Sequence, residues 1–122
     1  MKTNLHGHSE IIKQCLIEHV SPYLIVLFGS FAKGTIHADS DLDIAFLSEK
    51  HFSDYELFML AQMISSIVGR EVDLIPLDKA STVFQAQIVG TGEVIYCTDE
   101  TKKMYFEMKA LKQYAKLNEC WI

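Results

Sequence analysis

Two aspartates, Asp41 and Asp43, lie one residue apart at the start of the apolar segment DLDIAFL, residues 41–47. Strands are depleted in Asp because a carboxylate loses hydration there without gaining an evident partner. On a strand, this spacing places both carboxylates on one face, where each raises the pKa of the other unless a cation lies between them. Mg²⁺ is such a cation, since it binds one or two carboxylates together with phosphate oxygens. The pair also fits the solvated face of an edge strand.

A third aspartate, Asp73, lies in the segment REVDLIP at residues 70–76. If this strand is adjacent to the strand at 41–47, three carboxylates converge. That arrangement suits two metal ions that clamp an in-line phosphoryl displacement. Asp41 and Asp43 would then hold both ions, while Asp73 would help to hold the ion near the attacking hydroxyl and assist its deprotonation. Taken alone, Asp73 is an ordinary strand-end residue.

A candidate phosphate site precedes the aspartates. The apolar run YLIVLF at residues 23–28 ends in Gly29 and Ser30. Glycine lets a backbone turn sharply and approach a ligand closely, and the N-terminus of a following helix offers free N–H groups and a positive dipole end. Ser30 adds a hydroxyl donor. The same dipeptide also fits a plain turn with a serine N-cap.

The elements that must position these residues alternate along the chain. Apolar periodicity predicts helices at 9–20, 53–68, 79–89 and 99–117, and strands at 23–28, 41–47, 70–76 and 93–97. This α-β alternation predicts an α+β fold with helices packed on a small sheet. The predicted helix ends are an N-cap at Ser9, a capping box of Ser53 and Glu56 before a stop at Gly69, and a cap at Asp78 before a stop at Gly90. The inward residues expected for the last helix are Met104, Met108, Leu111 and Ala115.

Length, net charge, apolar runs and cysteine content exclude several classes of protein. The chain has 122 residues, which predicts one domain over 1–122, and its net charge of -5 argues against broad nucleic-acid binding. No apolar run approaches the roughly 20 residues of a membrane span, and the N-terminus lacks the apolar core of a signal peptide. Three dispersed cysteines, Cys15, Cys97 and Cys120, indicate neither a disulfide framework nor a zinc site. We therefore expect a cytoplasmic protein.

The motif as a whole resembles that of a known superfamily. The stretch GSFAKGTIHADSDLDIAFL is similar to the pattern G-S-F-A-R-G…S-D-x-D-[IL] of the nucleotidyltransferases that include DNA polymerase beta. Over its full length the chain resembles the minimal nucleotidyltransferases (MNT), antitoxins usually paired with a HEPN-domain ribonuclease toxin. The resemblance implies a mixed sheet flanked by helices, ATP as donor, Mg²⁺ as cofactor, and neutralising transfer of AMP onto a tyrosine of the toxin.

The resemblance also implies roles for individual residues. Lys33 stands where the family often has Arg. The lysine keeps the positive charge but cannot make the bidentate contact of a guanidinium group. Ser40 precedes the aspartate pair as in the family motif and also fits a turn at the strand entry. The implied phosphate-binding residues are Gly29 and Ser30, with Lys33 and Ser40 beside the nucleotide, and the implied metal-binding and catalytic residues are Asp41, Asp43 and Asp73.

Two other functions remain open from the sequence. The chain fits an antitoxin that masks its toxin by contact alone, without catalysis. It also fits a small-molecule nucleotidyltransferase of the aminoglycoside-modifying kind, although its short length leaves little room for an acceptor pocket. Tyr114 and Trp121 near the C-terminus suit either a partner surface or packing back onto the domain.

Overall fold

The computed structural model describes residues 2–28 and 41–119, with side chains described for 9–28 and 41–117. The elements are α1 (Lys2–Val20), β1 (Pro22–Phe28), β2 (Leu42–Ser48), α2 (Asp54–Val68), β3 (Val72–Pro76), a 3₁₀ turn (Leu77–Lys79), α3 (Thr82–Thr91), β4 (Glu93–Cys97) and α4 (Glu100–Glu119). From β2 onward, strands and helices alternate along the chain as the sequence predicts, whereas the short helix expected to follow Ser30 lies outside the described residues.

The four strands form one mixed sheet in the order β3-β2-β1-β4. β1 pairs antiparallel with both β2 and β4, whereas β2 and β3 run parallel. Parallel neighbours need a crossover connection, and α2 supplies it here. The small mixed sheet with flanking helices is therefore confirmed.

Both faces of the sheet are covered. Alternate side chains of β1 and β2 enter one of two apolar clusters, which explains the continuous apolar run of β1. Helices α1 and α2 cover the first face, where they pack against Ile25, Leu27 and Ile44 of the sheet. The 3₁₀ turn and helix α3 cover the second face, with Leu77 and Ile88 packed against Leu24, Val26 and Leu47, while Phe106 of α4 packs at its margin.

Helix α1 buries the face that its apolar residues, recurring every fourth position, predict, but it begins earlier than expected. Ile12, Leu16 and Val20 are fully or almost fully buried. The helix starts at Lys2, so Ser9 lies inside it and the predicted N-cap is wrong. The helix ends where predicted because Ser21 takes a left-handed φ of 46° and Pro22, which disfavours a helical residue before it, opens β1.

Helix α2 has both of its predicted ends. The Ser53 hydroxyl accepts a hydrogen bond from the Glu56 N–H, and the Glu56 carboxylate accepts one from the Ser53 N–H. Gly69 closes the helix at φ 75°, in the left-handed region that glycine adopts without strain. The predicted capping box and stop are confirmed.

The segment after β3 differs from the prediction. Asp78 lies in the 3₁₀ turn, and α3 starts later, capped by the Ser81 hydroxyl, which accepts from the Phe84 N–H. Burial of Leu77 fixes the earlier turn, so the helix can begin only after it. Gly90 lies within α3 and does not stop it. Gly92 follows the helix, where a Cβ atom would collide with Val26.

Helix α4 has the predicted extent within about two residues, but its orientation is opposite to the prediction. Met104, Met108 and Leu111 are exposed, as is Ala115, whereas Ala110 is buried and Phe106 partly buried. The expected inward stripe is therefore wrong. Within the described residues, no helix is long and apolar enough to cross a membrane.

Candidate active site at the acid end of the sheet

The register of the sheet brings two of the predicted aspartates together. In the parallel ladder of β2 and β3, Asp43 lies directly opposite Asp73. In the antiparallel ladder on its other side, Asp43 lies opposite Phe28, the last residue of β1. Asp43 therefore lies between the end of β1 and the beginning of β3. We call this edge, defined by Phe28, Asp43 and Asp73, the acid end of the sheet.

Strand alternation orients the three side chains of the acid end. The neighbours of Asp43, Leu42 and Ile44, belong to the cluster under α1 and α2, so Asp43 points to the opposite face of the sheet. Asp73 points the same way, because Val72 and Leu74 pack against that same first cluster. The two carboxylates thus face the side of the sheet that carries α3.

An aromatic pair borders the carboxylates on that side. Phe28 packs edge-on against Phe84 of α3, with ring centroids 5.4 Å apart. Phe28 is the cross-strand neighbour of Asp43, so the aromatic pair lies beside the strand position that carries this carboxylate. Neither Phe28 nor Phe84 belongs to the motif that predicts the site. The adjacency of Phe28 to Gly29 was the signal available for it, whereas Phe84 comes close only through the fold.

Burial and like charge both act on Asp43. The pKa of its carboxyl is raised above the usual range, first by burial, then by the charges of Asp73 and Asp41, and by a side-chain hydrogen bond with Asp73. A raised pKa means that the ionised pair is unfavourable in the absence of a counter-charge. Mg²⁺ supplies such a charge and takes hard carboxylate oxygens, so these side chains suit it chemically.

Asp41 occupies a looser position than the other two. It precedes β2 by one residue and is exposed, as is Asp73, whereas Asp43 is half-buried. Its charge reaches Asp43, but across the described residues no three acidic, histidine or cysteine side chains are arranged so that they could hold a metal ion. The structure therefore brings Asp43 and Asp73 together, with Asp41 as a nearby charge.

The predicted nucleotide-binding residues lie outside the described residues. These are Gly29, Ser30, Lys33 and Ser40, which fall between β1 and β2 in the sequence. Trp121 also lies outside them. The predicted roles of these five residues remain predictions.

The two described cysteines, Cys15 and Cys97, are poor nucleophiles. Cys15 and Cys97 are free, and burial is the main cause that raises the pKa of both thiols. A raised thiol pKa keeps the sulfur protonated and weakly nucleophilic. Neither cysteine is therefore a candidate for the chemistry of this site.

Two grooves flank α2, and only one of them reaches the acid end. A groove of about 330 Å³ runs between α2 and β3, and its walls include Asp73, Leu74 and Phe58. A larger one, of about 460 Å³, lies between the end of α1 and the first half of α2, where Tyr55, Met59 and Met63 line it. The larger groove lies at the opposite end of the sheet from the carboxylates.

The mixed sheet with flanking helices, which carries the paired carboxylates at its end, has the nucleotidyltransferase fold. Residues 10–101 match the family described as "Polymerase beta, Nucleotidyltransferase", which is most of the chain. The chain belongs to this family.

Within this family, the chain is similar to an adenylyltransferase and to proteins of toxin–antitoxin complexes. The chain is 37% identical over 94 residues to a protein adenylyltransferase, MntA, from Shewanella oneidensis, an alignment covering 77% of this chain and 67% of that protein. A crystal structure of a toxin–antitoxin with AMP-PNP superposes with a TM-score of 0.85 at 33% identity, covering 91% of this chain and 90% of that one. A structure of tri-AMPylated Shewanella oneidensis HEPN toxin in complex with MNT antitoxin gives a TM-score of 0.82 at 28% identity, with 94% and 90% covered.

Proposed function

We propose that this chain, as a single nucleotidyltransferase domain, transfers AMP from ATP to a tyrosine hydroxyl of a cognate HEPN-type toxin and so neutralises it. The observation that carries the proposal is the register that places Asp43 opposite Asp73, where burial and then the neighbouring aspartates raise the pKa of Asp43. The similarity to an adenylyltransferase and to toxin–antitoxin complexes supports the choice of donor and acceptor. The free thiols of Cys15 and Cys97 are consistent with a cytoplasmic location.

The proposed reaction is one displacement at phosphorus. The acceptor oxygen attacks the α-phosphorus of ATP, the bond from that phosphorus to the pyrophosphate oxygen breaks, and pyrophosphate leaves. The hydroxyl proton must leave the attacking oxygen. Asp73 suits this task because it is exposed at the beginning of the edge strand β3 and lies directly opposite Asp43.

Asp41 and Asp43 are the proposed Mg²⁺ ligands, with Asp73 shared between metal binding and the acceptor. Bound Mg²⁺ would neutralise charge on the phosphates and stabilise the charge that develops in the transition state. Gly29 and Ser30 directly follow Phe28 in the sequence, and we assign the phosphates to them, with Lys33 and Ser40 beside the nucleotide. The support for these four residues is the sequence motif.

The test is labelled-nucleotide transfer with purified partner. The chain is mixed with the HEPN-type toxin encoded beside it, Mg²⁺ and ATP labelled at the α-phosphate. We expect label on the toxin, and we expect Asp43→Asn to reduce the rate at least about 100-fold, because loss of a metal carboxylate removes several kcal/mol of transition-state stabilisation. The matched control is Asp78→Asn, an exposed aspartate beyond the other end of β3. Equal rates for wild type and Asp43→Asn would refute the catalytic role.

A second candidate is neutralisation by contact alone, and the exposed apolar face of α4 favours it. The double variant Asp41→Asn/Asp43→Asn separates the two. Growth rescue that survives in this variant supports masking, whereas its loss with an intact complex supports catalysis. Modification of a panel of aminoglycosides by the isolated chain would instead point to a small-molecule acceptor.

A further inference from the structure

Helix α4 carries two parallel stripes that its own domain does not use. Met104, Met108 and Leu111 follow the spacing i, i+4, i+7, which places them on one side of the helix, and they are 52%, 60% and 48% exposed. The second stripe is displaced by one residue, or about 100° around the helix. It contains Tyr105 and three exposed lysines, Lys109, Lys112 and Lys116. We call the two stripes together the α4 outer face.

The apolar stripe continues onto the neighbouring helix. Val83 of α3 is exposed, and a groove of about 330 Å³ lies between it and Leu111 and Tyr114 of α4. Exposed apolar residues scattered singly need no explanation, but an aligned set that borders a groove is typical of an interaction site. Methionine suits such a surface because its flexible thioether adapts to the partner.

The charge beside the stripe restricts the partner. The chain as a whole is acidic, with a net charge of -5, yet the α4 outer face is basic. Among the described residues, no ion pair involves Lys109, Lys112 or Lys116, in contrast to Lys102 and Lys103 on the inner side of the same helix. Unpaired lysines that border an apolar stripe complement an apolar surface edged by carboxylates.

A second copy of this chain fits the α4 outer face poorly. In an antiparallel two-fold pair, the same side of each helix meets its equivalent, so the lysine stripes would face each other. In a parallel pair, the lysines would meet the side that carries Lys103 and Glu107, which already pair with one another. Neither arrangement gives the three lysines a free carboxylate.

We infer that the α4 outer face docks the partner protein, through a surface that is apolar at its centre and acidic at its edge. The inference rests on the proposed function for the existence of that partner. It adds the place of contact and the chemistry of the surface that is recognised. Helix α4 lies with α3 on the sheet face to which Asp43 and Asp73 point, so a partner bound there is on the side of the carboxylates.

The test compares two methionines that are exposed on opposite faces of the sheet. Met108→Lys alters the α4 outer face, and Met59→Lys alters α2, where Met59 is 48% exposed. Calorimetric titration with the HEPN-type toxin encoded beside the chain should show at least about tenfold weaker binding for Met108→Lys, the loss typical of a central interface residue. Met59→Lys should bind within about twofold of wild type. Equal affinities for wild type and Met108→Lys, or a larger loss at Met59, would overturn the inference.

Two further readouts keep the outcomes distinct. Asp43→Asn should retain toxin affinity while losing transfer, so failure of the proposed chemistry leaves the docking result readable. At saturating toxin, Met108→Lys should recover the wild-type turnover, which places its effect on KM and not on kcat. Sedimentation of the isolated chain completes the test. Self-association that Met108→Lys abolishes, with toxin binding unchanged, would assign the face to a second copy and overturn the inference.

Discussion

The acid end of the sheet and the α4 outer face both place side chains against the preferences of a folded chain. At the acid end, half-buried Asp43 lies opposite Asp73. On α4, Met104 and Met108 project into solvent. Local rules of folding are commonly broken at functional sites, so both regions are candidates for function. The two regions differ in their effect on stability: we expect the acid end to destabilise the isolated chain and the α4 outer face to leave its stability unchanged.

The difference follows from the unfolded state of each region. Asp43 is solvated and distant from Asp73 in the unfolded chain, so folding brings like charges together and removes water. Met108 is exposed in both states, so its position costs almost nothing on folding. The first region should therefore be detectable from stability measurements on the isolated chain. The second should be detectable only from association with a partner.

The largest expected change in the free energy of unfolding is at a buried residue of α2, with which the exposed Met108 of α4 can be compared. Ile64 is fully buried, so Ile64→Ala should lower the free energy of unfolding by about 2–5 kcal/mol, through lost burial and the cavity left behind. Met108→Ala should change it by less than about 0.5 kcal/mol, as is usual for exposed positions. Urea unfolding followed by circular dichroism measures both. A loss above about 1 kcal/mol for Met108→Ala would mean that the isolated chain already covers this face, and the comparison would fail.

The apolar period predicts a buried stripe for α2 that the structure confirms, but the stripe predicted for α4 is wrong. The stripe of α2 consists of Leu57, Leu60, Ala61, Ile64 and Val68. Both helices carry apolar residues three and four apart, and the pattern alone does not state which side meets the sheet. In α2 the apolar residues spaced three and four apart are the ones that become buried, although Phe58 and Met59 are exposed on its outer side. In α4 the inner side is occupied by Phe106 and Ala110, with the Lys103 and Glu107 pair beside them, so the methionine stripe is left outward. Tertiary packing therefore overrode the simplest interpretation of the pattern.

At the acid end, the sequence predicted the residue types but not the neighbours. The i, i+2 spacing of Asp41 and Asp43 is visible in the sequence. On a strand, this spacing predicts that both side chains lie on one face of the sheet. The adjacency of Asp73 depended on the strand order, which one sequence does not specify. Phe84 illustrates the same limit, because it lies 41 residues beyond Asp43 and approaches only when α3 packs on the sheet.

The next prediction concerns the acid end and should be smaller than the change at Ile64. In metal-free buffer at pH 7, Asp43→Asn should raise the midpoint of thermal unfolding, since it removes a charge that burial, Asp73 and Asp41 disfavour. The folded-state pKa of Asp43 is raised, so the carboxyl favours folding below its unfolded pKa of about 4, and this contribution is lost as pH rises through the folded pKa. The advantage of the variant should therefore shrink as pH falls towards about 4.

Mg²⁺ provides the control for that result. Millimolar Mg²⁺ should raise the midpoint of the wild type more than that of Asp43→Asn, because an ion that binds only the folded state stabilises it. Asp78→Asn supplies the baseline for removing an aspartate at the other end of β3. If Asp43→Asn is less stable than the wild type at pH 7, the carboxylate helps to stabilise the sheet. The acid end would then not be a destabilised region, and the expected difference from α4 would be refuted.

The smallest expected effect concerns charge on the α4 outer face. Lys112→Glu should leave the free energy of unfolding within about 0.5 kcal/mol of wild type, because the lysine is exposed and has no ion pair among the described residues. It should slow association with the toxin about two- to fivefold at low salt, since charges at an interface rim act mainly on the encounter rate. Stopped-flow measurements at low and high salt test this, and the difference should vanish at high salt, where screening removes it. A rate that is unchanged at low salt would mean that the lysines border no acidic surface. Charge would then affect only the stability of the acid end, and it would not affect the rate at which the α4 outer face meets the toxin.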